Sequence, residues 1–360
     1  MKKILSILLT LVMVLTMVAA CGGGDTPAEE EAPAEEAGEA AEDAADDAEE
    51  VADDAEEAEA GAEDGTFKIG IMPKLMGIPY FESTGEGAIQ AGEELGVEVI
   101  YNGPTKADAA EQVKMLEDWI NSGVDAIAVA PNDSAAMEPV LQKAKDAGII
   151  VLDWDTPTES DLVDASVRQI DNQTLGERLF DNLVKVMGKE EGNYAIVTGG
   201  LSAANLNTWI DFGTEYAAEA YPGLNLVTEK IPSDEIQQEA YTKTLDLVKA
   251  YPELEGIIGY STVAPLGVAQ AIRELGKQDE IAVVGTATEE DSQDFLSDGS
   301  LDIATLWDPA RLGYLTVGVA KALLEGQTLE DGMEIEGFGP IELQGDNIII
   351  MGPPDDYVAE

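Results

Sequence analysis

The sequence predicts an α/β protein made of two Rossmann-like doubly wound lobes, each a parallel sheet covered by helices on both faces. Three observations carry this. From Thr66 onward short apolar β-type runs alternate with amphipathic helical stretches, the pattern of repeated βαβ units. The alternation comes as two series of similar size, the second beginning after Asp171. And 360 residues exceed one core of ordinary size while accommodating two lobes with extensions.

In the first series, strands are predicted at 67–72, 97–101, 126–129 and 149–152. Helices are predicted between them at 81–95, 107–121 and 135–147. Runs such as Ala126-Ile127-Ala128-Val129 and Ile149-Ile150-Val151-Leu152 are apolar at every position, as strands buried on both faces must be. The second series predicts helices at 175–187, 204–220, 236–250 and 265–275, with strands at 194–197, 224–229, 256–260 and 281–284. Loops after the strands are short and rich in Gly, Asn, Asp, Ser and Pro. Ligands on such sheets sit beyond the carboxyl ends of the strands, so these loops are where function is expected. Two facing lobes make hinge closure around a ligand the natural motion.

The first 64 residues follow other rules. Lys2 and Lys3 precede an apolar run from Ile4 to Ala20, and Val18-Ala19-Ala20 places small residues directly before Cys21, the only cysteine. A charged start, an apolar stretch and a small-residue cleavage site predict a secretory signal peptide at 1–20. The cysteine at the cut resembles the bacterial lipobox, which implies lipidation of Cys21. Residues 21–64 are almost entirely Ala, Glu, Asp, Gly and Pro, with no aromatic residue, and predict an acidic disordered tether.

The net charge is −54, and 20 of the acidic residues fall in 25–64, so most of the excess lies on the folded part. That field repels nucleic acid and anionic lipid. A folded acidic surface poor in lysine suits a high-salt environment, where counterions screen its self-repulsion; an acidic extracellular protein of ordinary habitat is the alternative. The absence of histidine removes Ser-His-Asp and Cys-His catalysis and the commonest zinc ligand. Gly85-Glu86-Gly87 lies inside a predicted helix and is no phosphate loop. Asp153, Asp155, Glu159 and Asp161 lack the glycine turn of an EF-hand loop. The sequence therefore predicts no enzyme, no cofactor and no metal site.

Candidate binding residues cluster at predicted strand ends. Lys74 follows the first strand, and Tyr80 and Phe81 stand where the first helix starts. Asp153, Trp154 and Asp155 end the fourth strand, and Trp307-Asp308 repeats the Trp-Asp pairing. An aromatic plane beside a carboxylate suits a sugar, whose C–H face packs on the ring while its hydroxyls donate to the carboxylate. The second lobe offers Asn205 and Asn207 at a helix entry, and Tyr260 and Thr262 after a strand. Alternatives stay open at single positions: the Trp residues as core, Lys74 as a surface lysine, Asp155 or Asp308 as helix caps.

With these stretches in view, the chain resembles the type I periplasmic binding proteins of sugar ABC transporters, in the branch of the autoinducer-2 and rhamnose-binding receptors. The likeness spans Phe67 to Met351. It is carried by Pro73-Lys74-Leu75-Met76-Gly77, Tyr101-Asn102-Gly103-Pro104-Thr105, Trp154-Asp155, Asn207-Thr208-Trp209 and Leu306-Trp307-Asp308. The resemblance implies a three-segment hinge near Asp171, Trp307 and Phe338. It implies a first lobe of 66–171 plus 308–337 and a second of 172–307 plus 338–351. It also implies that Lys74 and Asp155 contact ligand. Asn205-Leu206 and Tyr260-Ser261-Thr262 depart from the pattern of the autoinducer-2 receptors. The expected protein is a monomeric, lipid-anchored substrate-binding component on the extracytoplasmic face of the cell membrane. It would bind a small neutral sugar or sugar-like solute and deliver it to an ABC permease; an autoinducer-2 receptor is the second reading.

Overall fold

The computed structural model describes residues 66–359. The signal peptide, Cys21 and the acidic tether expected from the sequence lie outside the described residues. Among those described, no helix is long and apolar enough to cross a membrane.

The first lobe opens with β1 (Lys68–Met72), α1 (Pro79–Leu95), β2 (Glu98–Tyr101), α2 (Ala109–Ser122), β3 (Ala126–Val129), α3 (Ser134–Asp146), β4 (Ile150–Trp154) and β5 (Ala165–Arg168). The chain then crosses to the second lobe. There it forms α4 (Asn172–Met187), β6 (Glu191–Thr198), α5 (Ala204–Ala220), β7 (Gly223–Leu226), β8 (Ile231–Pro232), α6 (Gln237–Ala250), β9 (Gly256–Gly259), α7 (Ala264–Leu275), β10 (Ala282–Gly285), α8 (Glu289–Ser297) and β11 (Ile303–Leu306). It returns to the first lobe as α9 (Pro309–Leu324), the small ribbon β12 (Glu334–Ile335) and β13 (Gly339–Pro340), and the hairpin β14 (Glu342–Gln344) and β15 (Ile348–Ile350). Finally β16 (Asp355–Tyr357) joins the second lobe.

Helix starts follow side-chain chemistry. The carboxylates of Asp108, Asp133, Asp171 and Asp308 accept from first-turn N–H groups, and Gly96, Gly123, Gly188 and Gly276 end helices in the left-handed conformation. The sheet orders are β14-β15-β5-β4-β3-β1-β2 and β16-β11-β10-β9-β6-β7, parallel within each βαβ core. Alternation along each strand divides the core. In lobe 1, Ile69, Ile71, Ala128 and Leu152 face one way, while Met72, Ile127, Val129 and Val151 pack on the other face with Leu116, Trp119 and Leu141. In lobe 2, Ala195, Val197, Ile257 and Val283 form one layer, and Tyr194, Ile196, Ile258 and Val284 the other.

One expected boundary is corrected. Residues 338–351 do not belong to the second lobe: Ile348–Ile350 run parallel to Ser166–Arg168 and extend the first sheet. The third crossing lies after Ile350, and Asp355–Tyr357 alone complete the second sheet, antiparallel to β11. The physical reason is a hairpin turned at Gly345, whose φ is 66°, which buries Ile349 against β5.

Candidate functional site

The carboxyl ends of both sheets point at each other, and their loops line a cavity of about 360 Å3 that is partly open to solvent. A wider cleft of about 1280 Å3 shares Lys74 and Glu235 with it.

From the first lobe come Lys74, Tyr80, Phe81 and Asp155. Lys74 leaves β1 on a loop held from below by Gln112. The Gln112 amide donates to the carbonyls of Pro73 and Ala130, and its oxygen accepts from the N–H of Asn132. Asn132 in turn donates to the Lys74 carbonyl at 2.7 Å. Asp155 follows β4 in the left-handed region at φ 61°, a conformation Asp tolerates better than most residues. Pro79 starts α1, placing Tyr80 and Phe81 in its first turn.

The side chains form one network. Asp155 accepts from Tyr80 OH at 2.7 Å, Thr156 Oγ1 at 3.0 Å, and the amides of Gln169 and Asn205 at 3.4 Å. Lys74 Nζ lies 3.7 Å from the same carboxylate and donates to Asn205 Oδ1 at 3.0 Å. Trp307 Nε1 donates to Tyr80 OH at 3.1 Å. Burial, then the Asp155 charge, holds the Tyr80 hydroxyl well above its usual pKa, so it is a donor at every physiological pH. Lys74 is 3% and Asp155 5% exposed, so this is a desolvated ion pair whose charge is shared among several hydrogen bonds. Trp307 meets Tyr80 and Trp209 edge-on, at 6.2 and 5.7 Å between ring centres, giving the cavity an aromatic wall across both lobes.

The second lobe contributes Asn205 and Thr262 from the expected set, and Trp307 sits at the second crossing. Five expected residues are placed elsewhere. Asp153 is buried and accepts from Thr158 N, Thr158 Oγ1 and Ser166 Oγ; it braces the loop after β4. Burial raises its pKa against those donors. Trp154 is core, its Nε1 donating to the Met72 carbonyl at 3.1 Å and its ring edge-on to Phe81. Trp154 ends β4 with its ring in the core, whereas Asp155 leaves the strand in the left-handed conformation, so the two do not meet the cavity as a tandem pair. Asn207 donates to the Leu201 carbonyl and accepts from Lys230, which occupies its amide. Tyr260 is fully buried away from the cavity lining. Asp308 is exposed and caps α9 through Ala310 N and Arg311 N.

Sequence reasoning missed Glu235 as a lining residue; Ser261 and Thr286, in the strand-end runs Tyr260-Ser261-Thr262 and Thr286-Ala287-Thr288 that read equally as turn chemistry, also line the cavity. Glu235 lies in the short polar run Pro232-Ser233-Asp234-Glu235 between β8 and α6. That is the same topological place as the other candidates, but it reads as a helix lead-in. Ser261 Oγ donates to Glu235 Oε2 at 2.5 Å, and both residues adopt positive φ. Among the described residues no group of three or more acidic or Cys side chains is arranged to hold a metal ion.

The family model described as periplasmic binding protein domain matches residues 69–328. The D-ribose/D-allose-binding protein of Pseudomonas aeruginosa is 26% identical over 284 residues, covering 77% of this chain and 88% of that protein. The ribose import binding protein RbsB of Bacillus subtilis is 25% identical, covering 73% and 84%. Among solved structures, LsrB from Clostridium saccharobutylicum in complex with AI-2 superposes with a TM-score of 0.77 at 25% identity, covering 81% of this chain and 97% of that one. An ABC transporter solute-binding protein from Clostridium phytofermentas with bound L-rhamnose gives 0.75 at 27% identity, covering 81% and 95%.

Proposed function

The chain belongs to the periplasmic binding protein family, in the type I fold, and from that premise we propose that it is a lipid-anchored extracytoplasmic receptor that captures a small sugar-like solute between its lobes for an ABC importer. The observation that carries this reading is the cavity itself. Polar groups of both lobes, Lys74 and Asp155 on one side and Asn205 and Thr262 on the other, converge on a space walled by Phe81, Trp209 and Trp307. Such a site binds polyhydroxylated molecules through charge-assisted hydrogen bonds and ring contacts. Relatives this chain matches are named as sugar- or solute-binding proteins, which supports binding and release as its chemistry, and the three interlobe crossings supply a hinge. Cys21 anchors the chain and the acidic segment spaces it from the membrane.

An autoinducer-2 receptor is the second reading, supported by the superposition on the AI-2 complex of LsrB. Calorimetric titration in molar salt with pentoses, hexoses, deoxyhexoses, amino sugars and AI-2 separates the two. Tight binding of a sugar, lost in both Lys74→Ala and Asp155→Ala, is the expected result. Unchanged affinity in either variant removes that residue from the site, and no binding across the panel removes the reading.

A further inference from the structure

The cavity charges do not balance. Lys74 is taken up by Asp155, on the first-lobe side. On the second-lobe side stands Glu235, 8% exposed, with no Lys or Arg among the described residues within ion-pair distance. Its Oε2 accepts from Ser261, while Oε1 lies against Gly199, where a side chain would overlap it, and has no hydrogen-bond partner among the described residues. In the lining of the same cavity, Thr286 Oγ1 is buried and also without a hydrogen-bond partner among the described residues. The Glu235 carboxylate is mostly shielded, with its unpartnered oxygen still accessible, so a counter-charge arriving in the cavity would complete it.

Neutral hydroxyls can donate to such a group but leave its charge in place. A protonated amine supplies both the charge and several donors, matching an unpaired carboxylate and an unpaired hydroxyl in one lining. The acidity of the whole molecule acts in the same direction, concentrating cations at the cleft. Building on the solute-receptor reading above, we propose that the ligand is a cationic polyol, an amino sugar or aminocyclitol, whose ammonium group is held by Glu235 with Thr286. Its hydroxyls then face Lys74, Asp155 and Asn205 across the cavity. This replaces the neutral sugar expected from the sequence.

Matched pairs test it: D-glucosamine, D-galactosamine and D-mannosamine against their parent hexoses and their N-acetyl derivatives, titrated calorimetrically in 1 M NaCl. At least one amine is expected to bind roughly tenfold to a hundredfold more tightly than its parent and its N-acetyl form. Glu235→Gln should erase that preference by weakening the amine far more than its parent hexose, and Thr286→Val should reduce it. Urea midpoints of both variants verify that they fold. If neutral sugars, AI-2 included, bind and the amines do not, the ammonium site is wrong and the receptor reading stands. If no sugar or amine binds, both fall. An amine preference untouched by Glu235→Gln removes Glu235 from the proposal.

Discussion

At the scale of single residues, the site is governed by what desolvation does to Lys74 and Asp155. Removing Lys74 leaves a buried carboxylate whose remaining partners are all neutral. Lys74→Met is therefore expected to cost about 3 kcal/mol in urea unfolding, the low end for a broken buried pair. The double variant Lys74→Met, Asp155→Asn should recover at least half of that while still failing to bind solute. Simple additivity of the two single variants would show that the pair is not coupled. The place of Lys74 and Asp155 at the cavity is legible because each follows a recognisable strand. Asp153 and Trp154 lie outside the cavity lining, since residue order does not say which side of a strand end meets the cavity. Glu235 was missed because its role depends on Ser261 and Gly199, which are brought to it only by tertiary folding.

At the scale of elements, the first lobe depends on the close crossing of α1 and α9. A Cβ at Gly87 would overlap the Ala310 carbonyl, and one at Gly313 would overlap that of Thr84, so the helix backbones are in direct contact. Gly87→Ala or Gly313→Ala is expected to destabilise by about 1–3 kcal/mol despite a better helix propensity. A gain in stability would mean the helices can separate freely. In the second lobe, Asp356 fastens β16 through Arg178, Asn182 and Thr305. Burial alone would raise its pKa, but these partners hold it below the usual carboxylate range. Its folded pKa is depressed, so its contribution is present above the unfolded value near about 3.9 and is lost as pH falls through the folded value. Asp356→Asn should cost about 1–2 kcal/mol at pH 7, and the gap to the unaltered protein should close below about pH 4. A gap constant with pH would assign the effect to shape rather than charge. The βαβ elements were readable from periodicity, because fully apolar runs and capped amphipathic helices leave local marks. The three-residue strands β14, β15 and β16 were not, since nothing in so short a run specifies its partner.

At the scale of the whole molecule, a net charge of −54 sets the energetics. Ten ion pairs among the described residues are mostly exposed and offset little of the repulsion. Screening shortens from about 10 Å at 0.1 M salt to about 3 Å at 1 M. The melting temperature is therefore expected to rise by several degrees between 0.1 and 2 M NaCl, measured by calorimetry. An unchanged value would show that the acidic surface does not strain the fold. Composition made this legible without any structure, whereas the way the lobes interleave their segments was visible only in part.

That interleaving bears on how the protein comes into being. Each sheet receives a closing strand from the last stretch of the chain, β15 beside β5 and β16 beside β11. A nascent chain that has not yet emerged to Ile350 holds two bare strand edges, which invite pairing with neighbours. Neither sheet has its full set of strands until these late segments have been made. A product stopped after Ile341 is expected in the aggregated fraction; a monodisperse one would show that the late strands are dispensable.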